Sequence, residues 1–404
     1  MKITDGGICA AKGFKANGIH CGIRKSRTKR DLALIYSEKV CNAAAVYTNN
    51  LVKGAPLTVT KANISDGKAQ AVICNSGNAN TCNAGGELIA EKTCRLVAEK
   101  LGISDKDVIV ASTGVIGQPL SIDPIAAGIP ALADGLSYDG CCYAAEAIMT
   151  TDTSVKQIAV EFTAGGKVCR MGGIAKGSGM IHPDLATMLV FITTDCAISS
   201  AMLQKALKSD VKETFNMLSI DGDTSTNDMV AVMANGMAGN TIIDGDGDDF
   251  NEFMKALNTV NVALCRMIAG DGEGATKLLE CKVCGAKTLT DAKKTAKSVV
   301  CSSLLKAAMF GADANWGRVL CAIGYSGADA DVEKIDVAFI SKAGKVEVCK
   351  NGRGIDFSEE LAKRVLTEDE IEIAVNLNDG EFCASAWGCD LTYDYVKING
   401  DYRT

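Results

Sequence analysis

Two histidines, His20 and His182, are all the imidazole that this chain of 404 residues contains. Ser-His-Asp or Cys-His catalysis would have to use one of them, and a metal site rich in imidazole is excluded. If the chain is an enzyme, its general base is something other than histidine. Proline is also scarce, at five residues, and no Pro/Ser linker, tandem repeat or low-complexity tract divides the sequence. The net charge is −7, so no broad basic surface calls for nucleic acid. No run of about eighteen apolar residues exists to span a membrane. The start, "MKITDGGICAAKGF", has a lysine but no apolar stretch of the kind a secretory signal needs, so a cytoplasmic protein is expected.

What is plentiful is cysteine, with eighteen residues scattered through apolar contexts such as "AVICNSG" and "RVLCAIG". Without a signal segment, these read as reduced, buried, small hydrophobes in a reducing cytosol. The one CxxC, Cys281 to Cys284, has no second pair and cannot complete a tetrahedral zinc site. No metal is expected.

Short apolar strands alternate with amphipathic helices, which predicts a mixed α and β class, α+β in arrangement. Strands are expected at 69–77, at 108–117, and as a pair over 155–180 joined by Gly-Gly. Helices are expected over 85–102, 121–136 (with Ser121 as cap), 200–218, 249–271 and 291–311. The structural core should run to about residue 284, with a smaller C-terminal α/β domain over about 285–404.

"GGIAKGSG" is not a phosphate-binding P-loop, because the order Lys176-Gly177-Ser178 and a following glycine break the pattern. "DGDTSTND" (221–228) and "DGDGDDFNEF" (244–253) lack the position-six glycine and position-twelve glutamate of a calcium loop. Val232 and Lys255 stand at that last position. They read as solvated turns and a helix start with favourable acids.

A glycine-rich run passes through "HPDLAT" into the apolar run "MLVFIT", with Thr187 at the junction. A threonine beginning a strand is ordinary. Yet a threonine hydroxyl can use its own α-amine as base, with a pKa near 8, about right for neutral pH. That amine exists only if the Ala186–Thr187 bond is cut, and the same hydroxyl can cut it by an N-to-O acyl shift. The small Ala186, the bent glycine-rich approach and the rigid strand afterwards suit such a step.

"KGSGMIHPDLATMLVFITTD" closely resembles the processing site of the ornithine acetyltransferase (glutamate N-acetyltransferase) family of arginine biosynthesis. The resemblance covers nearly the whole chain, through "GFKANGIHCGIRK", "NSGNANTCNAG", "ASTGVIGQPL", "AIMTTDT", "SIDGDTSTND", "AGDGEGATK", "GADANWGR", "AWGCDLT" and "INGDYRT". Gly400 and Asp184 depart from the residues common in the family.

The resemblance implies a layered sheet–helix sandwich of the ornithine acetyltransferase/DmpA-like type. It implies self-cleavage into residues 1–186 (α) and 187–404 (β), assembled as an α2β2 heterotetramer. It makes Thr187 the nucleophile, with the Thr113 hydroxyl and Gly114 N–H as the oxyanion hole. Lys176, Glu273, Asn399 and Thr404 match substrate contacts, as does Thr150, with Thr151 the alternative. The implied substrates are N2-acetylornithine and glutamate. No cofactor is required, and acetyl-CoA is a cosubstrate if the chain is bifunctional.

Two rivals stand beside this reading. One is an N-terminal-nucleophile aminopeptidase or amidase, in which water takes the acyl group. The other is a binding protein with an intact Ala186–Thr187 bond.

Overall fold

The structure, a computed structural model, describes residues 1–26, 28–182 and 188–400. The chain divides into two units. The first comprises Met1–Gly177, Asp184–Lys212 and Thr224–Leu264, and the second Ser178–Pro183, Glu213–Asp223 and Cys265–Thr404.

In the first unit nine strands pair into one sheet. They are β1 (Lys2–Thr4), β2 (Phe14–Ile19), β3 (Leu32–Tyr47), β4 (Lys68–Asn75), β5 (Val108–Ser112), β6 (Lys156–Ala164), β7 (Lys167–Lys176), β8 (Leu189–Thr194) and β9 (Met229–Ala234). The order is β1-β6-β7-β8-β9-β3-β4-β5, with β2 on β3. The 16-residue β3 joins the two halves: residues 32–36 pair with β2 and β4, and residues 42–47 pair with β9. The apolar run expected to follow the Thr187 junction is β8, buried along its whole length.

Alternation along the strands gives each face its own core. Leu32, Leu34, Ile73 and Val110 pack with the helices over Gly86–Leu101 and Asp123–Asp134, while Ala33, Ile35, Val72 and Ile109 join a second core with Ile174, Phe191 and Ala231. The helices of this unit are α1 (Ala55–Asn63), α2 (Gly86–Leu101), α3 (Asp123–Asp134), α4 (Cys141–Ile148), α5 (Ser200–Asp210) and α6 (Asp248–Gly270), the last running on into the second unit. Asp248 and Asp249 occupy the first turn of α6, where acids meet the free N–H groups.

Two helices differ from the sequence expectation here. Helix α3 starts at Asp123, and Ser121 supports the turn before it by accepting from the Asp123 N–H at 3.2 Å. Helix α5 stops at Asp210 instead of continuing to 218. The Asp210 carboxylate is taken by the side-chain amides of Asn258 and Asn261 on α6, at 2.8 and 2.6 Å.

The second unit is a six-stranded sheet in the order β13-β12-β11-β14-β10-β15. Its strands are β10 (Leu278–Ala286), β11 (Asp336–Ser341), β12 (Gly344–Lys350), β13 (Arg353–Gly354), β14 (Glu370–Asn376) and β15 (Phe382–Cys389). The expected domain boundary near 285 falls at the end of β10. That strand pairs with β14 and β15, and the longest segment of the unit begins at Cys265. Helices α7 (Leu289–Cys301), α8 (Ser303–Phe310), α9 (Trp316–Gly324), α10 (Glu359–Leu366) and α11 (Tyr393–Gly400) complete it. The single helix expected over 291–311 is two, because Ser302 caps α8 by accepting from the Leu305 N–H at 3.3 Å.

The expectation of wholly reduced cysteines is corrected at one pair. Cys284 on β10 and Cys383 on the adjacent antiparallel β15 form a disulfide, with Cα atoms 4.2 Å apart. Val283 stands opposite Ala384, and the same antiparallel register carried one residue further sets Cys284 opposite Cys383. The other sixteen cysteines stand outside any disulfide among the described residues, and ten of them are buried. Among the described residues no helix is long and apolar enough to cross a membrane, and no cluster of His, Cys, Asp and Glu is arranged to hold a metal.

Candidate active site

The first unit carries the expected oxyanion residues at the end of β5. The Thr113 N–H donates to the Asn75 carbonyl at 2.9 Å, which extends the β4–β5 ladder by one residue. Gly114 follows at φ +127°, and a Cβ there would lie 2.7 Å from the Gly77 carbonyl carbon. The backbone of residues 77–78 thus approaches Gly114 so closely that only glycine fits.

Side-chain amides hold this corner. Asn75 Oδ1 accepts from the N–H groups of Gly77 and Asn78 at 3.3 and 3.2 Å, while its Nδ2 donates to Ser112 Oγ at 2.6 Å. Asn227 Nδ2 donates to the carbonyls of Ala79 and Ser112. These contacts join the "NSGNAN", "ASTG" and "STND" motifs. Sequence reading singled out the motifs but gave Asn75 and Asn227 no role. The available signal was the density of asparagine beside glycine, which marks loops built on side-chain-to-backbone hydrogen bonds.

Lys176 is the last residue of β7 and is buried. Its Nζ donates to Thr113 Oγ1 at 3.3 Å. In the β7–β8 ladder Lys176 stands opposite Leu189, two residues after Thr187 in sequence. Ala186 and Thr187 themselves lie outside the described residues, as does Thr404.

Two buried carboxyls face Lys176, and neither was identified from the sequence. Asp152 Oδ1 accepts from Lys156 Nζ and from the Gly177 N–H, each at 2.7 Å. Its Oδ2 accepts from the Thr150 N–H at 2.9 Å. Burial alone would raise the Asp152 carboxyl, but Lys176, Lys156 and the Gly177 N–H outweigh it and hold the group well below the usual carboxylate range. Asp228 precedes β9. Its Oδ2 is buried with no hydrogen-bond partner among the described residues, and burial pushes its carboxyl well up. Burial pulls the Lys176 ammonium down, opposed by Asp152 and then Asp228. Of the substrate contacts expected in this unit, Thr150 and Lys176 are therefore tied to one carboxylate, and Lys176 to Thr113.

The second unit brings Glu273 and Asn399 together: Asn399 Nδ2, on α11, donates to Glu273 Oε2 at 2.7 Å. The Glu273 N–H donates to the Ser178 carbonyl at 2.8 Å. Gly179 lies against the Glu273 side chain, where a Cβ would fall 2.4 Å from the carboxyl carbon. The peptide leading toward the junction is held by Asp221, whose carboxylate accepts from the N–H groups of Met180 and Ile181 at 2.6 and 2.9 Å. His182 Nδ1 sits 3.0 Å from Ser219 Oγ and 3.6 Å from Cys301 Sγ.

Residues 15–404 match the ArgJ family model. The arginine biosynthesis bifunctional protein ArgJ of Caldanaerobacter subterraneus subsp. tengcongensis is 54% identical over 405 aligned residues, covering all of both chains. ArgJ 1 of Clostridium acetobutylicum is 52% identical, covering 97% of this chain and 96% of its own. A crystal structure of the Bacillus halodurans arginine biosynthesis bifunctional protein is 47% identical. It covers 52% of this chain and 97% of its own, with a TM-score of 0.49. On the family match and on identity spanning whole chains, this chain belongs to the ArgJ family.

Proposed function

We propose that this chain moves the acetyl group of N2-acetylornithine to glutamate, through an acetyl ester on Thr187, after cutting its own Ala186–Thr187 bond. The observation that carries the proposal is the Lys176–Thr113 contact at the end of β5, beside the strand that begins two residues after Thr187.

The Thr187 hydroxyl attacks the acetyl carbonyl, and its own α-amine takes the proton. Negative charge develops on the carbonyl oxygen, where the Thr113 hydroxyl and the Gly114 N–H donate to it. Ornithine leaves with the proton. The α-amine of glutamate then attacks the ester and N-acetylglutamate departs. Water is a poor rival for the acyl group if the site binds an α-amino acid at both ends. Lys176 suits the carboxylate, with Thr150 beside it. Glu273 suits the ornithine ammonium, with Asn399 and Thr404 completing the set. That preference for an amino-acid acceptor, together with relatives named for arginine biosynthesis, favours the transferase over an amidase.

Those relatives are called bifunctional, and acetyl-CoA is the second donor we propose, with no bound cofactor. Residues 1–186 and 187–404 are the proposed α and β chains of an α2β2 assembly working in the cytoplasm.

Denaturing mass spectrometry before and after brief incubation with N2-acetylornithine tests the reading. Two chains meeting at Ala186/Thr187, with an acetyl group gained by the second and removed by glutamate, are expected. One intact chain that never gains acetyl would sink it.

A further inference from the structure

A single buried carboxylate, Asp152, ties together two residues of the candidate site. Through Oδ2 it holds the backbone of Thr150, and through Oδ1 it holds Gly177, the residue directly after Lys176. Its remaining strong contact is the ion pair with Lys156 at 2.7 Å, both side chains essentially out of solvent. Three groups therefore converge on one residue whose exposure is 5%. A loop and a strand end that lie 25 residues apart in sequence are fixed by the same two oxygens.

The arrangement also settles where the negative charge beside Lys176 comes from. Among the described residues, the groups that act most strongly on the Lys176 ammonium are Asp152, Asp228, Lys156 and the Cys74 thiol. Cys74 is pushed up to about 12 by burial and stays neutral. Asp228 has no donor on its Oδ2 among the described residues, and burial favours its neutral form. Asp152 has donors on both oxygens and two ammonium groups near it, which is the environment that keeps a buried carboxylate charged.

We propose that Asp152 is a positioning residue of the acyl-transfer site, aiming Thr150 and Lys176 together and supplying the charge against which Lys176 remains an ammonium for the substrate carboxylate. The inference rests on the function proposed above. It adds a residue that acts on substrate through Lys176 and Thr150, without touching substrate itself.

The test is the pH profile of the KM for glutamate in the wild type and in Asp152→Asn. The α-amines of Thr187 and glutamate must be free to act, so they govern the acid side. Loss of the Lys176 proton governs the alkaline side. Removing a nearby negative charge makes a lysine give up its proton at lower pH. The alkaline rise in KM should therefore move down by ~1–3 pH units in Asp152→Asn, with kcat changing less than KM. A purely structural role would raise KM by the same factor at every pH and leave the alkaline rise where it was. That outcome overturns the inference.

Asp152→Asn removes the carboxylate charge beside the buried Lys156 ammonium and can fail to fold, which far-UV circular dichroism reports. The Asp152→Asn/Lys156→Met double variant removes the buried pair together and is then judged by the same criterion. The larger of the two influences on Lys176 is lost with Asp152, so the shift keeps its direction and becomes smaller. A wild type that transfers no acetyl group sinks the functional reading and takes this inference with it. A wild type that turns over, with variants whose alkaline rise has not moved, sinks the inference alone.

Discussion

The side chain of Asn227 donates to the carbonyl of Ser112 at 3.0 Å, one residue before Thr113. The same amide nitrogen reaches the Ala79 carbonyl at 2.6 Å, and its oxygen accepts from Thr81 Oγ1 at 2.7 Å. One buried side chain thereby sets the distance between the end of β5 and the loop that crowds Gly114.

Asn227→Ala would take the amide donor from the buried Ser112 and Ala79 carbonyls, the second of which keeps Thr81 Oγ1 at 3.2 Å, at a cost of about 1–3 kcal/mol in stability by chemical denaturation. A misplacement of Thr113 by an ångström is expected to lower kcat roughly 10²-fold. Thr113→Val, which removes the donor itself, should cost about 10²–10³-fold in kcat. A folded Asn227→Ala enzyme with wild-type kcat would show that the oxyanion corner does not depend on this amide.

Asp228 predicts an unusual stability profile. Its carboxyl binds a proton more tightly in the folded chain than in the unfolded one, because burial disfavours the charge. Its contribution to stability is therefore fully present below the ordinary aspartate range, near pH 4, and is lost as pH rises above it. Asp228→Asn removes that loss. The melting temperature of the variant should gain on the wild type progressively from about pH 4 upward. A constant offset between the two curves would contradict a neutral Asp228.

The Cys284–Cys383 disulfide closes a loop between residues 99 apart. Thiol titration in denaturant should find sixteen free thiols without reductant and eighteen with it. Eighteen in both would overturn the pairing. Cys383→Ser should lower stability by roughly 2–4 kcal/mol, the usual range for such a cross-link. Reductant should lower the wild type to the same level and leave the variant unmoved.

Regular elements were legible wherever one period ran unbroken. The apolar run 188–193 is β8, Gly165-Gly166 joins β6 to β7, and the periodic stretch 85–102 is α2. Helix ends decided by distant partners were not legible. Nothing near Asp210 announces that two asparagines some fifty residues later will take its carboxylate and coincide with the end of α5. The site behaved in the same way. Thr113, Gly114, Lys176, Glu273 and Asn399 sit in recognisable motifs, and the structure ties Lys176 to Thr113 and Asn399 to Glu273. Asp152, Asp228 and Asn227 act through long-range burial and hydrogen bonding. In sequence such residues look like any polar residue beside a turn. The disulfide was missed for a related reason, since its two halves belong to strands that only tertiary pairing makes neighbours.

The strand order has a consequence for the life history of the molecule. β8 and β9 follow the Ala186–Thr187 junction, yet they lie between β7 and β3, which both precede it. A chain cut at that junction becomes two polypeptides threaded through one another. Releasing the second means unzipping two full ladders at once. Assembling them from separate pieces means opening a gap in the middle of a finished sheet. Under the proposed self-cleavage, folding therefore has to come first and scission afterwards, and the cut would be a one-way door: easy to pass for a single chain that has already closed, and hard to pass for its two halves meeting as strangers.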